Sequence, residues 1–156
     1  MADSALYKTA LNKAMAQCSR REYCSDDIRN KLIMWGLGNN DSEEVINVLI
    51  KENFINESRF AAAFVRDKFN YNKWGKIKIA SHLKTKKIPS DIIRSALDLI
   101  DYEAYIKSLK ELIVGHRKLV KAKNKYDLKA KLLRYGLSKG FESNLVYDIL
   151  NEWPEC

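Results

Sequence analysis

The sequence predicts an all-α fold, and three observations support this. Only six of the 156 residues are Gly and two are Pro, so turn and strand signals are few. The commonest residues include Ala, Leu, Lys, Glu and Ile, most of which favour helix. Apolar residues also recur at helical spacing in one segment after another, which indicates amphipathic helices along the chain.

The first third of the chain predicts three helices. Residues 4–18 carry one apolar stripe and form the first. Ser25 begins the second, because its short oxygen side chain and the two acids after it satisfy the free N–H groups of a helix start. Gly36 ends that helix. Ser42, followed by two Glu residues, begins the third.

The middle third repeats this layout. Residues 57–70 form a helix, and a second helix has Ile77, Ile79 and Leu83 on its apolar side. Pro89 then breaks the chain before a third helix.

The last third also predicts three helices. The first begins near Tyr102 and is followed by a basic linker from Gly115 to Lys125. The second stops at Gly136, and the ninth helix of the chain follows.

The three thirds align with a period of about 50 residues. The aligned pairs are Ile28 and Leu32, Ile79 and Leu83, and Leu128 and Leu132. Such units cannot bury their apolar faces alone, so neighbours should stack. The predicted fold is all-α, with three tandem three-helix repeats at residues 1–55, 56–101 and 102–156. We expect them to form an elongated, curved array with helices at right angles.

The net charge of +8 is unevenly distributed. Residues 1–56 carry 7 basic and 8 acidic side chains, residues 57–101 carry 10 and 5, and residues 102–156 carry 11 and 7. A basic surplus in two thirds of the chain suits a polyanionic partner or an acidic protein groove. A solvated surface that only confers solubility explains it equally well.

The sequence gives no sign of catalysis, metal binding or export. Three cysteines, Cys18, Cys24 and Cys156, lack a metal-site pattern and suit a reducing cytoplasm. His82 and His116 have no second ligand at metal spacing. No apolar run approaches the ~20 residues of a membrane span, and the N-terminal residues lack a signal-peptide layout. We expect a cytoplasmic protein with no catalytic residues, no cofactor and no metal.

Two groups of basic residues are candidates for binding a partner, with solvation as the alternative for each. No acidic residue occurs from Asn70 to Ser90. The first group is Lys73, Lys76, Lys78, Lys84, Lys86 and Lys87, with Arg66 just before it. The second is Arg117, Lys118, Lys121, Lys123, Lys125, Lys129 and Lys131, opposed only by Asp127.

Aromatic residues among these lysines could stack on bases, as they often do where proteins hold single strands. Tyr71 and Trp74 lie in a basic loop and are the candidates for stacking. For Trp35 and Tyr135, beside apolar anchors, we expect packing instead.

The central third resembles the RecX family of recombinase regulators. The residues that carry the resemblance are Phe54-Ile55-Asn56-Glu57, Arg59-Phe60-Ala61, Phe64-Val65, Lys68, Trp74-Gly75, the helix with Lys76, Ile79 and Leu83, Lys86-Lys87-Ile88, and Ile92, Ala96 and Leu97. Parts of the first and last repeats also fit. Lys87 stands where the family usually has Gly, so we expect Pro89, rather than a left-handed residue, to end the helix.

The resemblance implies a non-enzymatic regulator. It would lie in the groove of the RecA–single-stranded DNA filament and inhibit ATP hydrolysis and strand exchange. Its partners would be the RecA filament and single-stranded DNA, with double-stranded DNA as a further candidate and no membrane, and it would act as a monomer. Two other hypotheses stay open: a helical-repeat nucleic-acid binder that needs no recombinase, and an adaptor whose charge only solubilises it.

Overall fold

The computed structural model describes residues 4–152, which form nine helices and no strand. In chain order these are α1 (Ser4–Arg20), α2 (Ser25–Met34), α3 (Asn39–Lys51), α4 (Glu57–Asn70), α5 (Lys76–Thr85), α6 (Ser90–Leu97), α7 (Tyr102–Arg117), α8 (Lys125–Ser138) and α9 (Ser143–Glu152). The all-α prediction is confirmed. Cys156 lies outside the described residues.

The described chain packs as two compact units. The first comprises the chain up to Ala63 together with Leu83–Ile93, and the second comprises Phe64–His82 and the chain from Arg94 onward. The dividing points fall inside α4, α5 and α6. The repeat boundaries at residues 1–55, 56–101 and 102–156 remain a prediction.

The core of the first unit joins α1, α2 and α3. Ala10 and Ala14, one helical turn apart on α1, are buried against Ile28, Leu32 and Leu49, which are completely buried. Small side chains on α1 allow its backbone to approach the other two helices closely. Burying an aliphatic side chain of this size stabilises the fold by about 1.5–3 kcal/mol.

The starts of α2 and α3 differ from the prediction, the first in its capping residue and the second in its position. α2 is capped by Cys24, whose Sγ accepts the Asp27 N–H at 3.4 Å, and not by Ser25. Ser25 instead donates its N–H to Glu57 Oε1 at 2.9 Å. α3 begins at Asn39, three residues before the predicted Ser42, which is buried inside the helix.

The first residues of the segment that carries the family resemblance form hydrogen bonds that hold the start of α4 in place. Asn56 Oδ1 accepts the Arg59 N–H at 2.9 Å, so Asn56 caps α4. The Arg59 guanidinium donates to Glu22 Oε2 at 2.7 Å and to the carbonyl oxygens of Asn53 and Phe54, at 3.1 and 3.3 Å. These charge-assisted hydrogen bonds give this part of the motif a structural role.

The core of the second unit is formed by α7, α8 and α9. Its fully buried members include Tyr105, Leu109, Leu132 and Phe141. Ile77 was predicted to belong to the apolar side of α5, but 55% of its surface is exposed. Ile79 and Leu83, the other two residues predicted for this side, are both fully buried.

α5 ends through a left-handed residue, contrary to prediction. Lys87 has φ +63°, its N–H bonds to the Lys84 carbonyl, and the Ile88 N–H bonds to the Leu83 carbonyl at 3.2 Å. This is a Schellman motif, in which the apolar Ile88 follows the left-handed residue. The helix ends at Thr85, four residues before Pro89, so Pro89 does not end it.

Helices α2 and α8 end in the same way as α5, and these equivalent ends show that the predicted alignment of the last repeat was wrong. The left-handed residue after α2 is Gly36, with φ +97°, and the one after α8 is Gly140, with φ +93°. Each is followed by a buried apolar residue. Gly136 lies inside α8 and does not stop it. The residues aligned by this geometry are Leu32, Leu83 and Gly136, and one turn earlier Ile28, Ile79 and Leu132.

Candidate functional site

The loop between α4 and α5 is organised by Trp74. This half-buried ring has Lys78 Nζ at 4.7 Å and Lys68 Nζ at 5.0 Å from its centroid, and the His82 ring lies at 4.4 Å. A lysine over an indole face gains about 0.5–1 kcal/mol at an exposed site. Trp74 therefore holds two ammonium groups close together at the surface.

The start of α5 is fixed by direct contact between two backbone segments. The Gly75 N–H donates to the Lys139 carbonyl at 2.7 Å, and the Ile77 N–H donates to the Gly140 carbonyl at 3.0 Å. A Cβ on Gly75 would lie 2.4 Å from Gly140 backbone atoms. Only glycine allows this close approach.

A buried tyrosine completes this attachment. Tyr105 Oη accepts the Lys76 N–H at 2.8 Å and donates to the Glu142 carboxylate. Burial, with the nearby Glu142, raises the pKa of Tyr105, so the phenol stays protonated. Since the N–H groups of Lys76 and Ile77 both have partners, the start of α5 is occupied by protein contacts and does not offer a phosphate site.

Five lysines surround this loop, and we call them the Trp74 basic surface: Lys68, Lys73, Lys76, Lys78 and Lys139. Lys139 Nζ donates to the Asn72 carbonyl at 3.2 Å, and Lys76 Nζ lies 5.1 Å from the Tyr105 ring centroid. Within residues 4–152, none of the five forms an ion pair with a carboxylate. Their charge is therefore available to a partner.

The lysines at the end of α5 are in a different situation. Lys86 Nζ lies 2.8 Å from Asp27 and Lys87 Nζ lies 3.5 Å from Asp26, so both contact the acidic first turn of α2. Lys84 is exposed. Part of the charge of this group is thus balanced within the fold.

The second predicted basic group divides in the same way. α7 continues to Arg117, so the connecting segment is residues 118–124 and not 115–125. Lys131 Nζ lies 3.2 Å from Asp127 and donates to the Lys121 carbonyl, and Lys129 donates to Asn151 at 3.0 Å. The exposed members are Lys118, Lys121, Lys123 and Lys125.

The start of α8 depends on Asp127. Asn124 Oδ1 caps the helix by accepting the Asp127 N–H, and Asp127 Oδ2 accepts the Lys123 N–H at 3.0 Å. The Lys123 N–H and then the Lys131 ammonium lower the pKa of Asp127, because both stabilise its charged form.

The sequence and the fold are both similar to those of known proteins. A family model described as "RecX, second three-helix domain" matches residues 56–97. "Regulatory protein RecX" of Prosthecochloris aestuarii is 29% identical over 153 residues, covering 97% of each chain. The protein of that name from Clostridioides difficile is 27% identical over 150 residues, covering 96% of this chain and 70% of the relative.

Solved structures extend this likeness to nearly all of the chain. A crystal structure of regulatory protein RecX superposes with a TM-score of 0.86 at 22% identity, covering 94% of this chain and 74% of that one. RecX from Lactobacillus salivarius superposes with a TM-score of 0.81, also at 22% identity, covering 96% and 97%. The chain is therefore similar to RecX proteins in sequence and in fold. It spans only 59% of the Clostridium botulinum relative, to which it is 30% identical over 129 residues.

The aromatic candidates differ clearly in their exposure and contacts. Tyr71 is 81% exposed, whereas the Trp74 ring is in contact with Lys68, Lys78 and His82. The packing expected of Trp35 and Tyr135 is confirmed, since each lies against a hydrophobic core. Tyr135 also stacks on His116, with ring centroids 3.8 Å apart.

Two members of the Trp74 basic surface, Lys68 and Lys139, were not among the predicted site residues. Lys68 lies before the acid-free stretch, and Lys139 follows it by more than 40 residues. Nothing in the sequence links Lys139 to Asn72. The predicted Arg66 pairs with Asp67 at 3.5 Å and is mostly exposed.

The described part of the chain shows neither a metal-binding cluster nor a membrane-spanning helix. Within residues 4–152, no three His, Cys, Asp or Glu side chains are grouped so that they could hold a metal ion. None of the helices in that range combines the length and hydropathy required to span a bilayer.

Proposed function

We propose that this chain regulates the RecA recombinase without being an enzyme. It would bind in the groove of the RecA–single-stranded DNA filament and slow ATP hydrolysis and strand exchange. Its relatives carry the name of regulatory proteins, and the family resemblance implies RecA as the partner. We further propose that it acts as a monomer in the cytoplasm.

The observation that carries this proposal is the Trp74 basic surface. Five ammonium groups without a carboxylate partner in the described chain are held around one loop. An intramolecular ion pair would have to break before a phosphate or an acidic filament residue could bind. These lysines require no such exchange, unlike Lys86 and Lys87.

The test is the ATPase rate of RecA on single-stranded DNA while this protein is titrated in. Suppression well below one copy per RecA subunit is expected for a regulator that binds the filament. The variant with Lys73→Glu and Lys78→Glu should lose most of this suppression, because it reverses two unpaired charges. A Lys8→Glu, Lys51→Glu variant changes the same charge on exposed α1 and α3 positions and should inhibit normally.

The second candidate function is nucleic-acid binding without a recombinase. It is favoured by the exposed lysines of the 118–125 segment, namely Lys118, Lys121, Lys123 and Lys125, which have no carboxylate partner in the described chain. Such a segment suits the backbone of a bare strand. Unchanged RecA ATPase at saturation, together with tight binding to bare strands, would establish this function and reject the first.

A further inference from the structure

We propose that Trp74 positions Lys68 and Lys78 as a clamp for the phosphodiester backbone of a single-stranded nucleic acid, with no base stacked on the indole. The clamp rests on the proposed function in one respect, since the strand would be the DNA of the filament. It also predicts binding to a bare strand, so it can fail while RecA regulation stands.

The geometry of the two ammonium groups suits neighbouring phosphates of one strand. Lys68 Nζ and Lys78 Nζ lie 5.0 and 4.7 Å from the same ring centroid, so they are at most about 10 Å apart. They come from different helices, α4 and α5, and their contact with the same indole limits how far each can move. A site whose cations are already positioned loses less entropy when it binds an anion.

The Trp74 indole already contacts other side chains of the protein. Trp74 is half-buried, and besides the two lysines it contacts the His82 ring at 4.4 Å. A base that stacks on this ring would have to compete with these three neighbours for contact with the indole. Proteins that hold single strands ordinarily use such a ring as a stacking platform, whereas here the ring supports cations. The site should therefore bind the backbone and be indifferent to the bases.

Charge repulsion among the lysines favours an anionic ligand. Lys68 and Lys78 share one ring, and no carboxylate in residues 4–152 pairs with either. Lys139 is held at the same loop through the Asn72 carbonyl. A phosphate placed among these groups would relieve their mutual repulsion and release counterions. Trp74 is accordingly a positioning residue, and the lysines contact the ligand.

The experiment compares two labelled 20-mers by fluorescence anisotropy with the full chain, over a series of salt concentrations. One is oligo(dT), and the other has the same backbone but abasic sites throughout. The clamp predicts dissociation constants within about threefold of each other. Lys68→Gln and Lys78→Gln should each reduce the log–log salt slope by about 0.7. Lys8→Gln and Lys51→Gln serve as controls and should leave the slope unchanged.

The role of Trp74 is tested by two further variants on both strands. Trp74→Phe keeps an aromatic face and should bind nearly as well as wild type, whereas Trp74→Leu should bind severalfold more weakly at an unchanged salt slope. Should Trp74→Leu fail to fold, the abasic strand and the lysine variants decide the matter. A loss of more than tenfold on the abasic strand would show base stacking and overturn the proposal, as would unchanged slopes in the lysine variants. Failure here with normal ATPase suppression would reject the clamp alone.

Discussion

Two lysines adopt the left-handed backbone conformation, which residues other than glycine rarely adopt. Lys73 has φ +59° and Lys87 has φ +63°. A residue with a Cβ in this region costs roughly 1 kcal/mol relative to glycine. The ion pair between Lys87 and Asp26 offsets part of this cost. The pair is weak, because the Lys87 side chain is 75% exposed. Lys73 has no such partner in the described chain, which is consistent with a role for its charge in binding.

We expect replacement of Lys73 to separate stability from binding. Lys73→Gly removes both the charge and the strain, whereas Lys73→Ala removes the charge and keeps the strain. The glycine variant should be about 1 kcal/mol more stable than the alanine variant, and both should bind the filament equally weakly. Urea unfolding and filament binding measure the two properties. Equal stability of the variants would show that the conformation is not strained.

Asp127 should make stability depend on pH. Its folded-state pKa is lowered by the Lys123 N–H and by Lys131, so its contribution is present above the unfolded-state pKa and is lost as pH falls through the folded pKa. Thermal unfolding of wild type and Asp127→Asn should therefore differ most near neutral pH and converge in acid. A difference that stays constant from pH 7 to pH 2 would contradict the assignment.

At the level of helices, the sequence predicted the number and order of elements but not how several of them end. The apolar spacing was sufficient to predict their number and order, because buried residues lie one helical turn apart within a helix, as Ile28 and Leu32 do in α2 and Ile79 and Leu83 in α5. Glycine was the misleading signal. Gly136 was predicted to end α8 but lies inside it, and its missing Cβ makes room for Val146, whose methyl groups would lie 2.9–3.0 Å from a Cβ at that position.

The glycines of this chain should therefore respond to alanine in opposite directions. Gly75→Ala would place a Cβ 2.4 Å from Gly140 backbone atoms, and we expect a loss of about 2–3 kcal/mol in the free energy of unfolding. Gly115, inside α7, has nothing within 4 Å of such a Cβ, so Gly115→Ala should stabilise by about 0.5–1 kcal/mol. Denaturant melts of the two variants provide the comparison. Destabilisation by Gly115→Ala as well would contradict the expectation for a glycine inside a helix with open space around it.

The candidate site was only partly predictable from the sequence, because some of its residues come together only through contacts between distant parts of the chain. Lys73, Lys76 and Lys78 were found because they are close in sequence and no acid interrupts them. Lys139 reaches the same loop through backbone pairing around Gly75 and Gly140, and no local pattern encodes that pairing. Conversely, sequence proximity grouped Lys86 and Lys87 with the unpaired lysines, although folding places them beside Asp27 and Asp26.

For the molecule as a whole, net charge and local charge make different contributions to binding. A charge of +8 attracts any polyanion and speeds its encounter with the protein. Retention depends instead on contacts in the complex, which is why affinity differences among variants of one interface appear mostly in dissociation rates. Two variants of equal net charge can therefore separate the two contributions.

The first variant replaces Lys68, Lys78 and Lys139 with Gln, and the second replaces the exposed Lys8, Lys51 and Lys107 with Gln. Each removes three of the eight net positive charges, leaving +5. Both should associate more slowly with RecA filaments on immobilised single-stranded DNA, because the long-range field is weakened equally. Only the first should dissociate faster, by about tenfold or more, because three ligand contacts are lost. Surface plasmon resonance at two salt concentrations measures both rates. If the second variant dissociates as fast as the first, net charge governs retention and the Trp74 basic surface is not the binding site.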